Sequence, residues 1–166
     1  MVLGVSLQTF TLIHVVISLI GIAAGLLTLF AMITSEQPSR WTGLFLWSTL
    51  LTSITGFLFP VTTLTPAIIV GIITTTVVAI ALASYYLFHL RGHWRWIYVA
   101  SALFALYLNC FVGVVQSFQK IGPLNMLAPN GNEPPFMAAQ GALLLAFLML
   151  GYLALRRFHP ERALGA

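Results

Sequence analysis

The sequence predicts an all-α integral membrane bundle of five transmembrane helices, N-terminus outside and C-terminus cytoplasmic. Three observations carry that prediction. Hydrophobic residues make up 60% of the chain and charged residues 6%, with a mean hydropathy of +1.00, so its apolar surface exceeds what one water-facing domain can enclose. The apolar residues fall into five runs, each long enough to cross about 30 Å of hydrocarbon as a helix. The bases lie in short gaps between those runs.

The first run, 8–34, opens without a basic segment and continues past the length of a signal-peptide core, which makes it a retained span. Runs 41–60 and 66–90 are divided by "FPVTTLTP", whose two prolines and three threonines interrupt a continuous helix. Runs 94–119 and 135–155 complete the set, and the whole chain, 1–166, reads as one transmembrane domain. Short connections make the first four helices successive antiparallel neighbours. The exception is Lys120 to Pro135, "KIGPLNMLAPNGNEPP", where four prolines and three asparagines preclude a long helix and leave room for a lid or a partner surface.

Arg40, Arg91, Arg95, Arg156, Arg157 and Arg162 all lie in connections or the tail that an odd number of spans places on one side. The positive-inside rule makes that side the cytoplasm. Trp41, Trp94 and Trp96 then sit at the headgroup level, where an amphipathic ring is favoured. A net charge of +4 distributed this way sets orientation. It does not form the contiguous basic face of a nucleic-acid-binding protein, so nucleic acid is excluded as a partner. Membrane lipids and other membrane subunits are the expected partners.

Polar and small residues recur at helical spacing. On the first helix His14, Ser18, Gly21, Gly25 and Thr28 share one face, on the second Thr42, Thr49, Thr52, Ser53 and Gly56, and on the fourth Ala102, Ala105, Asn109, Gly113, Gln116 and Lys120. Lipid offers no hydrogen-bond partners, and small residues let helices approach closely, so these faces should point inward. Gly21, Gly25, Gly56 and Gly113 are the expected packing positions. Gly21 and Gly25 form a GxxxG that suits packing within the chain or a homodimer seam.

At 1.5 Å per residue His14 lies about 9 Å inside its helix end, Gln116 about 6 Å and Gln140 about 8 Å. A pocket lined by His14, Ser18, Asn109, Gln116 and Gln140, opening beneath the Lys120 to Pro135 loop, follows as an expectation. At the opposite end His89, Arg91 and Arg95, near Tyr85, Tyr86 and His93, could hold a lipid headgroup, although interfacial anchoring explains them equally.

No acidic or basic residue lies within any hydrophobic interior, which disfavours ion-coupled transport, and paired carboxylates for hydrolysis are missing. The only cysteine, Cys110, lies in an apolar run, so neither a disulfide nor a cysteine zinc cluster can form. No catalytic or metal-ligating set emerges. A buried histidine in a helical bundle can ligate haem or a chlorophyll-like pigment. Because His89, His93 and His159 lie at the other end, only a single-histidine site at His14 remains, with Met126 or Met137 opposite. Phe57, Phe59, Phe104, Tyr107 and Phe111 could border a quinone or carotenoid, or simply fill the bundle.

The segments "RWTGLFLWSTLLTSITGFLFP", "RWIYVASALFALYLN", "VVQSF" and "NEPPF" resemble those of a family of small, uncharacterised bacterial inner-membrane proteins with a histidine early in the first span. The resemblance runs from His14 to Arg157 and implies a location in the bacterial cytoplasmic membrane, without an activity to carry over. It also implies further histidines around the outer connection between the second and third helices. This chain reads "PVTTLTPAIIVG" there, with none. The role expected from all this is that of a non-enzymatic accessory or structural subunit of a larger respiratory or photosynthetic complex. A His14-based haem, pigment or quinone protein is the alternative, and a passive channel comes third.

Overall fold

A computed structural model describes residues 4–36, 40–60, 63 and 65–160. Within them the chain is all helical, with α1 Leu7–Thr34, α2 Arg40–Phe57, α3 Pro66–Leu82, α4 Trp94–Lys120, a short α5 Gly122–Leu127, and α6 Pro134–Arg157. Four of these, α1, α3 with its continuation to Leu87, α4 and α6, are long and apolar enough to cross a membrane, which marks a multi-pass membrane protein. The 18-residue α2 is not among these four. It opens on Arg40 and carries six hydroxyl side chains, from Thr42 to Thr55. Arg162 and most of the second connection, Val61, Thr62 and Leu64, lie outside the described residues.

Local chemistry sets the helix ends. Ser6 caps α1 by accepting from Thr9 N at 3.1 Å. At the other end Ser35 adopts a left-handed φ of 58° and Glu36 N donates back to Ala31 O at 2.9 Å, a closure that satisfies otherwise orphaned carbonyls. Thr65 caps α3, and Pro66 occupies its first turn, where a missing N–H costs nothing. The predicted spans 41–60 and 66–90 prove too long. α2 stops at Phe57 before the proline-bearing connection, and α3 widens into a π turn over Ala83–Leu87. Leu90 N reaches back to Ser84 O at 3.1 Å, with His89 and Leu90 both left-handed. Leu90 is buried and Phe88 stacks on Trp94 at 3.6 Å, contacts that hold this strained corner.

Consecutive long helices are antiparallel neighbours, α6 packs against both α4 and α1, and α4 touches every other long helix. The termini of the long helices therefore gather at two ends. One, the arginine end, collects Arg40, Arg91, Arg95, Arg156 and Arg157; the other, the loop end, carries α5 and Lys120. The core is off-centre. On α1 the buried residues from Gly21 to Met32 lie in the arginine half, leaving only Phe10 buried in the loop half. On α4 they run from Tyr98 to Leu108, with Phe118 alone beyond.

Candidate functional site

The arginine half is sealed by aromatic and small residues. Phe158, just past α6, is buried against Tyr98, with ring centroids 6.0 Å apart. Arg95 Nη1 donates to Phe158 O at 2.5 Å and to Leu155 O at 3.4 Å, so its charge lies on carbonyls at the C-terminus of α6, where a cation is favoured. His159 N donates to Ser35 Oγ at 3.0 Å, which ties the tail to α1. Of the proposed headgroup ligands, Arg95 thus has partners within the protein, while His89 and Arg91 are exposed in the linker.

Gly25 explains how α1 comes so close. A Cβ there would meet Leu106 Cδ1 at 2.5 Å and Phe45 Cδ2 at 2.9 Å, and one at Gly21 would meet Ser48 Oγ at 3.1 Å. The GxxxG therefore seats α1 on α2 and α4 of its own chain. Gly56 and Gly113 differ, because a Cβ on either makes only ordinary 3.7 Å contacts.

Toward the loop end the seams turn polar. Beside Gly21, Asn109 Nδ2 donates to Thr49 Oγ1 at 2.9 Å, joining α4 to α2. Two turns further along α1, His14 Nδ1 lies 2.8 Å from Thr55 Oγ1, and Phe59 stands edge-on to the imidazole at 5.3 Å. Ser18 turns its hydroxyl onto His14 O in its own helix at 2.7 Å. Gln140 Nε2 donates to Phe111 O at 3.2 Å, while its Oε1 is buried without a hydrogen-bond partner. Gln116 shares the α4 face of Asn109 yet is exposed. Of the five residues expected to line one pocket, His14 and Ser18 thus lie on α1 beside α2, Asn109 lies in the α2–α4 seam, Gln140 lies in the α4–α6 seam and Gln116 is exposed, and among the described residues no single hydrogen-bond network joins them.

Thr55, which anchors the imidazole, was not among the positions singled out on the second helix. The signal for it is its hydroxyl side chain near the loop end of α2, the end at which His14 lies on α1. Met126 and Met137, the methionines considered for an opposite axial position, are 83% and 64% exposed. No group of three or more metal-ligating side chains occurs among the described residues. The aromatic residues also separate into two sets. Phe59 packs with Phe10, whereas Tyr107 packs with Phe104, Phe111 and Phe147 on the α4–α6 side.

Searches against family models, curated proteins and solved structures find no match to this chain.

Proposed function

We propose that the chain is a five-span protein of a bacterial cytoplasmic membrane, N-terminus outside and C-terminus cytoplasmic, serving without catalysis of its own as an accessory subunit of a larger membrane complex. The observation that carries this reading is the coverage of α6. Of its 24 residues only Ala154 is buried, and Leu145, Leu148, Met149 and Tyr152 are more than half exposed. A spanning helix this bare presents a long apolar surface to acyl chains or to another subunit.

Support for α2 as a fifth span comes from the way it is turned. Thr42, Ser48, Thr49 and Ser53 are buried, whereas Leu44, Trp47, Leu51 and Ile54 are exposed, the sidedness expected of a helix bathed in lipid. The gathering of arginines at one end supports the orientation.

Intact mass measurement after extraction in mild detergent tests the subunit reading. A stoichiometric partner, crosslinked through a photoreactive residue at Leu148, is the expected result; a stable solitary chain overturns it. Reporter fusions test the topology, with a fusion near Asn130 active outside and one after Phe158 active inside.

A further inference from the structure

We propose that the loop end of the bundle binds the hydroquinone headgroup of a lipid-soluble quinol, through a hydrogen bond from a ring hydroxyl to Nε2 of His14. The argument begins with a count of protons. The Thr55 hydroxyl has one, and its oxygen lies 2.8 Å from Leu51 O, 3.0 Å from Thr52 O and 2.8 Å from His14 Nδ1. Carbonyls only accept. Giving the hydroxyl proton to a carbonyl and the Nδ1 proton to Thr55 satisfies both donors; the reverse assignment leaves an imidazole N–H without an acceptor, the costlier orphan in an apolar setting. This assignment from the network leaves Nε2 with a bare lone pair.

No hydrogen bond to Nε2 occurs among the described residues, and His14 is only half-buried. About two turns inside the end of α1, the acyl chains supply no donor. A hydroxyl-bearing amphiphile does. The surroundings favour an aromatic carrier of that hydroxyl, because Phe59 stands edge-on beside the imidazole and Phe10 edge-on to Phe59 at 5.1 Å, the arrangement into which a further ring packs well. α4 adds donors at the same end. Gln116 and Lys120 lie on the α4 face that carries Asn109 and are exposed.

Selectivity for redox state follows from the tautomer. A hydroquinone offers O–H to Nε2; a quinone offers only lone pairs and is repelled. Thr55→Val removes the acceptor that fixes Nδ1–H, frees the imidazole to present Nε2–H instead, and shifts the preference toward the oxidised form. A purely structural His14–Thr55 bond has no such signature. The site does not depend on the chain having partner subunits.

The test uses the full chain in phosphatidylcholine nanodiscs, stripped of quinone and titrated anaerobically with decyl-benzohydroquinone and decyl-benzoquinone. The expected result is at least tenfold tighter binding of the reduced form by the wild type, loss of that preference in His14→Phe, and its loss or reversal in Thr55→Val. Equal affinity for both forms in the wild type overturns the proposal. So does an undiminished preference in Thr55→Val, a variant that keeps the helix and so remains informative if His14→Phe misfolds. Displacement of the hydroquinone by phosphatidylglycerol in the discs assigns the site to a phospholipid headgroup and likewise overturns it.

Discussion

The arginine half and the loop half of this bundle are drawn from the same long helices, yet one is packed and the other is open. The difference follows the size of the residues along each seam. From the arginine end α1 offers Gly25 and Gly21, then Ser18 and His14; α4 offers Ala102 and Ala105, then Asn109, Gly113, Gln116 and Lys120. Small side chains let backbones approach until dispersion contacts accumulate. Larger polar ones hold the helices further apart and join them by single hydrogen bonds, each contributing about 0.6 kcal/mol in a membrane. In lipid the open half carries little penalty, since hydrocarbon covers whatever apolar surface the protein leaves bare. Close packing thus concentrates at one end.

The comparison is tested most severely at Phe158. Its ring is 2% exposed against Tyr98, and Phe158→Ala should destabilise by about 3 kcal/mol, read as a lowered melting temperature in detergent. Gly25→Leu should follow at about 2 kcal/mol, because the Leu106 and Phe45 side chains must move to admit even a Cβ. Gly113→Leu, placed toward the open end where a Cβ makes only an ordinary 3.7 Å contact with Ile22, is the matched control and should lower the melting temperature much less. Similar losses at Gly25 and Gly113 would show that packing is uniform along the bundle.

Much of this was legible in the sequence. The apolar runs located the long helices within a few residues, and helical spacing identified the faces of α1, α2 and α4 that turn inward. Periodicity specifies a face, however, and not how closely a neighbour approaches it, so Gln116 reads as inward by angle while the structure leaves it exposed. Nor does any local signal mark the π turn at Ala83–Leu87. His89 and Leu90 are left-handed although neither is glycine, because the burial of Leu90 and the stacking of Phe88 on Trp94 impose the corner from outside it. The tail contacts of Phe158 with Arg95 and of His159 with Ser35 join residues 63 and 124 positions apart and have no pattern to announce them.

Asn109 lies where the packed and open halves meet. Asn109→Leu deletes the bond to Thr49 and should cost about 0.6 kcal/mol, less than either substitution at the sealed end; a loss as large as that of Gly25→Leu would move the boundary of the packed half toward the loops.

The smallest effect belongs to the loop end itself. Glu133 Oε1 accepts from Asn130 N at 3.0 Å and Asn130 Nδ2 at 2.8 Å, and Oε2 from Asn132 N at 3.1 Å, which shapes the turn before α6. Partial loss of hydration raises the Glu133 pKa, but the hydrogen bonds from Asn130 and Asn132 outweigh it and hold the carboxyl below its ordinary value of 4.5. A depressed folded value means that the ionised form supports the turn, fully above the ordinary value and progressively less as pH falls through the depressed one. Amide exchange at Asn130 and Asn132, corrected for its intrinsic pH dependence, should therefore be constant from neutrality to about pH 4.5 and accelerate below it, while the melting temperature, set at the sealed end, stays level over the same interval. If the melting temperature fell in step with the exchange rates, the loop turn would be coupled to the core and the two halves would not be independent.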